Sequence, residues 1–569
     1  MGKRGTKRPP LNAYNNLAET LGAKFHRRTH DMKFHPPRAL PLLCSTHFSR
    51  LVFVLLLALG ANLGLHMEFV LSATSITQST GTGSLGTEVL PPSGNVYGIT
   101  GGTPVGNNLY HSFAQFNIGT GDIAQFQTLV PNTILSNILA RVTGGNPSSI
   151  FGTIDSATYY PGANFFLMNP YGIIFGPNAT LNVGGSVTFT TADYLRLTDN
   201  VRFEAIPGGQ DALLSAFPVA AFGFLGSNTA AIAVQGSQLT VANGTGLSLI
   251  GGDHGFTYTN PDTGDTASVP EGVTMTGGKL SAPSGQINLA SVASVGEISA
   301  DDFIPTSGMT MGNIALSQGT VLDVSGNAAG TVRIRGGQFV MDQATISADT
   351  VNANGAPVAI DINVTGKVSI STVDVPALTA RTSGSGNAGN IRITSGNMDV
   401  TTTTVNSFIF AAIDTGLSGS GTAGNVNIST GDLTVTGDPF SGGTFFIDSG
   451  TSGSNPGRGG DVTISAGSIE LQDTGISTGN FSAFFLGDGG GDTAGNVNIT
   501  AERLQMTQSL IVTDTSDFEH PLGTSGDISI TAREVSLNFG DLSSTGFVGS
   551  GAITITADHL VATSSQIQA

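Results

Sequence analysis

The C-terminal half of the chain alternates apolar and polar residues in short runs. Residues 424–436 read GNVNISTGDLTVT, in which polar residues separate Val426, Ile428, Leu433 and Val435. A period of two places these four side chains on one face of an extended strand. These windows do not show the 3.6-residue period of a helix. The pattern therefore predicts short β-strands with one buried face.

A glycine-led phrase repeats along the same half. The phrase GNIRI at 389–393 returns in related form five times, starting at Gly424, Gly460, Gly495, Gly526 and Gly551. The glycines are 35, 36, 35, 31 and 25 residues apart, and fainter copies start at Gly285, Gly312 and Gly330. Such periodicity indicates a solenoid in which each repeat is one coil. A third short strand, such as residues 444–447, and a Gly/Ser-rich loop complete the coil, which predicts an all-β fold, a parallel β-helix.

Two roles are predicted for the residues that start each repeat. Glycine is expected to supply positive φ at the corners, which Asn and Asp also tolerate. The next residue is expected to stack into a ladder of turns, formed by Asn390, Asn425, Asp461, Asn496 and Asp527. The alternative is a row of calcium ions, but the glycine-aspartate nonapeptide is resembled only once, at 487–495. We predict no metal site and no cofactor.

Composition and charge narrow the class of protein further. Glycine makes up 79 of 569 residues, about twice its usual share. Residues 1–73 hold 10 Lys/Arg and 3 Asp/Glu, whereas the remaining chain holds 12 and 37, a net charge of −25. An acidic body with few lysines argues against nucleic-acid binding and against anionic membrane surfaces. The single cysteine, Cys44, lies in the basic leader, so disulfides and thiolate chemistry are excluded.

The N-terminus has the features of an export signal. Residues 51–65, LVFVLLLALGANLGL, form an apolar run that is shorter than a typical membrane span. We predict a basic leader at 1–50 and signal-peptide h- and c-regions at 51–73, with Sec-type export. A membrane anchor is the alternative. At the other end, the chain stops after one partial strand, and we expect either an improvised cap or truncation of a longer fibre.

Three stretches before the repeats carry a family resemblance. They are NNLYHSFAQFNI (107–118), RVTGGNPSSIFGTI (141–154) and FFLMNPYGIIFGPNATLNVGGSVTFTTADYL (165–195). In this order they resemble the N-terminal two-partner secretion domain of the filamentous haemagglutinin family. The family usually has Asn where this chain has Tyr171, and NPSS at 146–149 replaces the common Asn-Pro-Asn-Leu.

The resemblance implies a fold, a partner and a location. It implies a right-handed β-helix, with a secretion domain at 77–230 and a β-helix repeat passenger at 231–569. It further implies an outer-membrane two-partner secretion transporter, passage through the periplasm, and a secreted or cell-surface product. The residues carried over as the secretion motif are Asn146, Pro147, Asn169, Pro170, Tyr171, Gly172 and Ile173.

The second Asn-Pro phrase also makes sense from its own chemistry. Asn169 can bond the backbone in an Asx turn, Pro170 fixes φ, and Gly172 allows a tight reversal before a strand from Ile173. Asn146-Pro147 is expected to repeat the device one coil earlier. Corner turn and transporter address both remain open as the role of these residues.

No catalytic site is predicted from the sequence. Asp301 and Asp302, in a strand-like context with His254 nearest, are the one candidate acid pair, and the active-site phrases of polygalacturonases are missing. His111 is expected to pack in a core or turn. We predict an adhesin-like stalk whose loops (436–459, 478–494 and 514–525) bind a surface or glycan receptor. The alternatives are the N-terminal part of a larger exported enzyme or toxin, and a β-helical polysaccharide-degrading enzyme.

Overall fold

The described chain is built from β-strands stacked in parallel. The computed structural model describes residues 74–569 apart from 82, 129, 131–133, 209–212, 227–228, 404–409, 417, 439–443, 452–456, 480–492, 516–522 and 547. Each coil contributes strands to three faces, and strands of one face pair in parallel with their equivalents in adjoining coils. The third face has two exceptions: Thr87–Val89 pairs antiparallel with Val96–Gly101, and the ladder is interrupted between Thr180–Asn182 and Gln238–Thr240. The predicted parallel β-helix is confirmed.

The strands of the three faces are as follows. The first face contains Asn108–Asn117, Asn137–Val142, Asn164–Met168, Val187–Thr190, Gly246–Gly252, Gln286–Val292, Thr331–Gly336, Val358–Val364, Asn390–Thr394, Val426–Ser429, Val462–Ser465 and Ile553–Thr556. The second contains Ser148–Ile150, Ile173–Phe175, Ile232–Gln235, Val273–Thr276, Asn313–Ser317, Gln338–Asp342, Lys367–Val373, Asn397–Thr403, Asp432–Thr436, Ser468–Gln472 and His559–Thr563. Val497–Thr507 and Ile528–Asn538 run through both of these faces. The third contains Thr87–Val89, Val96–Gly101, Ile123–Phe126, Thr153–Asp155, Thr180–Asn182, Gln238–Thr240, Lys279–Ser281, Val321–Asp323, Thr345–Ser347, Leu378–Thr379, Phe410–Asp414, Thr444–Asp448, Gly475–Ser477, Leu510–Val512, Asp541–Ser543 and Ile567–Gln568.

The remaining strands are antiparallel and lie outside the coil. Ser75–Gln78 and Thr103–Val105 pair with the first strand of the first face. Tyr194–Leu197, Arg202–Glu204, Val219–Phe224 and Gly296–Ser299 form a four-stranded sheet, here called the cover sheet. Phe256–Thr259 and Thr266–Val269 form a hairpin, here called the cover hairpin. No helix of the described residues is long and apolar enough to cross a membrane.

The inward side chains form one continuous apolar core along the stack. In the repeat at 424–436, Val426, Ile428, Leu433 and Val435 are all buried, as the alternation predicted. Their equivalents in the adjoining coils contact them, so each coil covers its neighbour's inner face. Because one coil cannot bury its own apolar side chains, stability depends on stacking.

The glycines of the repeat phrase have a different role from the predicted one. None of Gly389, Gly424, Gly460, Gly495, Gly526 or Gly551 has a positive φ, so that expectation is wrong. A Cβ on Gly460 would instead lie 2.1 Å from the carbonyl O of Gly424 in the coil below. The same clash, at 1.9–2.1 Å, recurs at the other repeats from Gly424 to Gly551. Glycine is needed because the backbones of adjoining coils approach closely at this corner.

One of the fainter copies belongs to a second glycine column. Gly312 precedes a strand of the second face, whereas Gly285 and Gly330 precede strands of the first. The Gly337 N–H donates to the Gly312 carbonyl at 2.6 Å, and the contact continues upward through Gly366, Gly396, Gly431 and Gly467. The assignment of Gly312 to the first column was therefore wrong.

The predicted Asn/Asp ladder is present, and its hydrogen bonds explain the residue choice. The backbone N–H of Asn425 donates to Asn390 Oδ1 at 2.9 Å, and that of Asp461 donates to Asn425 Oδ1 at 2.8 Å. The same bond, at 2.7–2.8 Å, joins each later pair up to Ala552. Only the side-chain oxygen is used, so Asn and Asp are equivalent as acceptors. Along the column, each Asp has an Asn below it, so carboxylates never stack directly on each other.

The cover sheet and the cover hairpin bury outward apolar side chains of the N-terminal coils. Leu139, Met168 and Ile250 point out of the first face and pack against the cover sheet. Ile174 and Ala233 point out of the second face and pack against the cover hairpin. The N-terminal coils are therefore buried on both sides of these strands, unlike the distal coils.

Replacing Gly460 with Ala should destabilise the stack by about 3 kcal/mol, because the new Cβ meets a backbone carbonyl that cannot move aside. Gly549→Ala is the matched control, since its Cβ would meet only Thr524 Cγ2 at 3.7 Å. Denaturant midpoints measured by circular dichroism compare the two. Equal midpoints would contradict the close-approach explanation.

Replacing Asp461 with Ala should cost about 1 kcal/mol, because the Asn496 N–H loses its acceptor. Asp461→Asn keeps a side-chain oxygen and should stay within about 0.5 kcal/mol of wild type. Unfolding curves of the two variants test the ladder. A loss in Asp461→Asn as large as in Asp461→Ala would mean that charge, and not the acceptor, matters at this position.

Candidate functional site

The Asx turn predicted at Asn169 is present. The Tyr171 N–H donates to Asn169 Oδ1 at 3.0 Å, and the Gly172 N–H donates to the Asn169 carbonyl at 3.2 Å. Gly172 has a φ of +116°, a conformation that favours glycine. The strand Ile173–Phe175 begins directly after the turn, as expected.

The Asn169 side chain also ties this turn to the earlier Asn-Pro phrase. Its Nδ2 donates to the Asn146 carbonyl and to Ser148 Oγ, both at 3.0 Å. The Ser148 N–H returns a bond to the Gly172 carbonyl at 2.9 Å. Asn169 is fully buried, so its amide is satisfied entirely by these two turns. The two Asn-Pro phrases therefore form one hydrogen-bonded unit, here called the double turn.

Asn146 does not repeat the Asn169 geometry. Its side chain is exposed and donates to the Gly144 carbonyl at 3.4 Å. The Ser148 N–H, which would close an Asx turn at Asn146, donates to Gly172 instead. The expectation that the device recurs one coil earlier is therefore correct for position and wrong for geometry.

Tyr171 is the exposed aromatic residue of the double turn. Its side chain is 40% exposed, whereas Asn169 and Ile173 are fully buried. The turn uses only its backbone N–H. The fold therefore accommodates Tyr at this position, where the family usually has Asn, without loss of the Asx turn.

The cover hairpin packs directly on the double turn. A Cβ on Gly172 would lie 2.6–2.8 Å from the Phe256 ring, so glycine provides the space for that ring. Ser149 Oγ donates to the Thr259 carbonyl at 3.2 Å. At the hairpin tip, Asp262 Oδ1 accepts the Thr120 N–H at 2.8 Å. The hairpin thus fixes the double turn and leaves Tyr171 accessible.

A buried arginine connects the N-terminal coils to the cover sheet and to the segment that follows Ser75–Gln78. Arg141 is fully buried; its Nε donates to Ser112 Oγ at 3.1 Å. Its Nη1 donates to the Glu204 carbonyl at 2.7 Å and its Nη2 to the Gly83 carbonyl at 3.0 Å. Its guanidinium lies 5.0 Å from the centre of the Phe203 ring. Sequence reasoning missed this residue, although an arginine inside the apolar run NILARV was a signal.

His111 packs in the core, as predicted. Its ring lies against Phe113 and Phe126, with centroids 6.0 and 5.3 Å away, and Nδ1 is 3.2 Å from Thr87 Oγ1. Burial lowers its pKa to about 3, because the charged imidazolium would lose its hydration. His111 is therefore neutral at physiological pH and is not poised for acid–base chemistry there.

The candidate acid pair does not form a catalytic arrangement. Asp301 and Asp302 are exposed in a turn that follows the strand Gly296–Ser299, so the expected strand-like context is wrong. Hydrogen bonding from Ser299 lowers the pKa of Asp302, which favours a solvated carboxylate. Within the described ranges, no group of three or more His, Cys, Asp or Glu residues is arranged to hold a metal ion.

The aromatic residues of the predicted binding loops divide into two groups. Phe445 and Phe446 are buried in a third-face strand, in agreement with a core role. Phe440, Phe481, Phe484, Phe485 and Phe518 lie outside the described residues.

Comparison with known proteins identifies the family of the N-terminal part of the described chain. Residues 75–334 match the family model described as the TPS secretion domain. The match extends past residue 230, where we placed the end of the domain; the division into domains stays a prediction. None of the curated proteins compared with the chain matches it.

Two solved structures are similar to the chain. The HMW1 secretion domain from Haemophilus influenzae is 15% identical, with a TM-score of 0.37, over 86% of this chain and 99% of that one. The filamentous haemagglutinin secretion domain is 16% identical, with a TM-score of 0.29, over 66% and 99%.

Residues 75–334 belong to the TPS secretion domain family, the domain of two-partner secretion. The chain therefore carries the secretion domain of a two-partner secretion exoprotein. Its partner is an outer-membrane transporter of the two-partner class, which exports it to the cell surface or the medium.

The burial of His111 predicts a pH dependence of stability. Because its pKa falls from 6.5 to about 3 on folding, the contribution is complete above pH 6.5 and is lost as the pH falls towards 3. The loss should be about 1.4 kcal/mol per pH unit. His111→Gln should remove this slope from the unfolding free energy measured against pH. His559→Gln, which changes an exposed histidine, should not; equal slopes in all three proteins would exclude His111 as the source.

Proposed function

We propose that the double turn is part of the address that the outer-membrane transporter reads. The residues of this address are Asn146, Pro147, Asn169, Pro170, Tyr171, Gly172 and Ile173. The observation that carries the proposal is the exposure of Tyr171 on a turn whose other hydrogen-bonding groups are used internally. A fully buried amide holds the turn in one conformation, and a ring at its tip supplies an anchor of the kind that dominates interfaces.

We propose further that this chain carries no catalysis and acts as a rigid stalk, delivered to the periplasm by Sec-type export. In support, the exposed pair Asp301 and Asp302 lacks the opposed geometry of a glycosidase. In the repeats from Val426 onward, the outward residues of the first face are short and polar, as in Asn427, Thr463 and Asn498. Recognition of a cell-surface or glycan receptor would then fall to the loops at 436–459, 478–494 and 514–525.

Tyr171→Ala is the sharpest test of the address, because the side chain makes no structural bond in the turn. Its unfolding midpoint should equal that of wild type, since exposed substitutions rarely change stability by more than about 0.5 kcal/mol. Secretion in cells expressing a two-partner transporter should fall about tenfold, the effect of losing an anchor of about 1.4 kcal/mol. Tyr159→Ala, which removes a tyrosine of 38% exposure outside the motif, is the matched control and should be exported normally.

Asn169→Ala distinguishes an effect on folding from an effect on recognition by the transporter. It removes three hydrogen bonds at a buried position, so both the unfolding midpoint and secretion should fall. If Tyr171→Ala is exported like wild type, and only Asn169→Ala is affected, the phrase is a corner turn and not an address. Wild-type protein in the medium without any transporter would contradict two-partner secretion itself.

A further inference from the structure

Two aspartates on the third face stack on each other, against the rule that the rest of the fold follows. The strands Phe410–Asp414 and Thr444–Asp448 pair in parallel, with Asp414 opposite Asp448. Paired strands lie ~4.8 Å apart, so the two carboxyl groups come from neighbouring positions of one column. In the other strand pairs of the described residues, each Asp or Glu faces a neutral or basic residue, as Asp361 faces Arg333 and Arg392. The Asp414–Asp448 pair is therefore an exception that needs an explanation.

The charges around the pair do not compensate it. Arg381 is the cation that faces it: Nη1 lies 3.6 Å from Asp414 Oδ2, and Nη2 lies 3.0 Å from Asp349 Oδ2. The Arg381 backbone N–H also donates to Asp349 Oδ1 at 2.9 Å, which holds the guanidinium on the Asp349 side. Two carboxyl groups thus share one guanidinium, and Asp448 lies one coil farther along the column.

The coil beyond Asp448 supplies no positive charge to it. Ser477 is the residue in register with Asp448 on that side, and it is neutral. Arg458, on the segment that returns towards the first face, pairs with Asp461 at 3.9 Å. Each acid does accept one backbone hydrogen bond, Asp414 Oδ1 from Gly416 at 2.9 Å and Asp448 Oδ1 from Gly450 at 3.0 Å. These bonds fix the orientation of both carboxyl groups.

Limited access to water makes the pair hold a proton. The Asp414 side chain is only 18% exposed. Burial first, and then the neighbouring charge of Asp414, raises the pKa of Asp448 to about 7, and burial also raises the pKa of Asp414. Two carboxyl groups in this position cannot both ionise at low cost, so one proton is shared between them below that pH.

We propose that Asp414 and Asp448 form a proton-dependent joint between two coils of the stalk. With one proton on the pair, the third-face strands stay in register. When that proton leaves to solvent, two like charges oppose each other across the strand pair, and the pairing of Phe410–Asp414 with Thr444–Asp448 loosens. Because contacts in a solenoid are local, the opening would be confined to these coils.

The direction of the pH effect follows from the sign of the shift. The pair binds its proton more tightly in the stacked coils than in the open chain, where aspartate titrates near 3.8. The contribution to stability is therefore largest below about pH 4 and declines as the pH rises to about 7. The closed-to-open ratio should fall about tenfold for each pH unit in this interval.

Hydrogen exchange measured by mass spectrometry on the full chain tests the proposal. Rates are corrected for intrinsic exchange and compared at ~pH 5.5 and ~pH 8, on either side of the value of about 7 for Asp448. Peptides covering 444–448 should lose roughly thirtyfold in protection at the higher pH. Peptides covering 497–507, two coils away, should show no such loss.

Variants of the pair and a matched control assign the effect. Asp448→Asn keeps the acceptor for the Gly450 N–H and removes the charge, so protection of 444–448 should become independent of pH. Asp414→Asn should have the same effect, and it is the variant to use if Asp448→Asn does not fold. Asp323→Asn alters a third-face aspartate that pairs with Lys279 at 2.7 Å and should leave the pH dependence intact. Equal wild-type protection at both pH values, or a pH dependence that survives in the Asn variants, would overturn the proposal.

Discussion

In-register stacking is the constraint on which the rest of this structure depends. In a parallel stack each residue lies ~4.8 Å from its equivalent in the next coil. The size, charge and hydrogen-bonding groups of a residue must therefore be compatible with those of the equivalent residue above and below it. The corner residue is glycine because a Cβ there would meet a carbonyl from the coil below. The N–H of the next residue needs an acceptor, and the Asn or Asp below it supplies a side-chain oxygen. A charge would meet the same charge, and acids are therefore separated by amides. The repeat phrase is the sequence form of these three requirements.

The secretion domain uses the same constraint and adds a second direction of bonding. Its first-face column begins with Asn108, Asn137 and Asn164, whose amides bond to one another at 2.7 and 3.0 Å. Asn108 Nδ2 also donates outward, to the carbonyls of Ser215 and Phe217 at 3.0 and 2.8 Å. The N-terminal coils are thus joined along the stack and to the covering elements, whereas the distal coils are joined along the stack. This difference suits a domain that must present one fixed surface to a transporter, followed by a stalk that repeats.

The sequence could predict the features that depend on local residues and on their equivalents in the next repeat. The strands around Val426 and Ile428, the ladder at Asn390 and the Asx turn at Asn169 all follow from local period and chemistry. The reason for glycine could not be predicted, because it depends on the distance between two backbones.

The missed features of the candidate site join segments that are far apart in the chain. The bonds from Asn169 to the Asn146 turn, and from Arg141 to Gly83 and Glu204, are of this kind. No single window contains both partners of such a bond. The contact of Phe256 with Gly172 also joins distant segments. In the sequence the cover hairpin is recognisable only as an insertion between two coils.

The shifted pKa values of His111 and of the Asp414–Asp448 pair show why the stability of a stacked protein should be described coil by coil. Burial keeps His111 neutral, so protons destabilise the N-terminal coils below pH 6.5. Burial and a like charge keep a proton on the pair of Asp414 and Asp448, so loss of protons destabilises the coils around it. In a globular domain these opposite slopes would partly cancel in a single free energy of unfolding. In a solenoid each titration acts on the few coils that contact the titrating group. A single rise in pH can therefore stabilise the N-terminal coils while it destabilises the coils around Asp414 and Asp448.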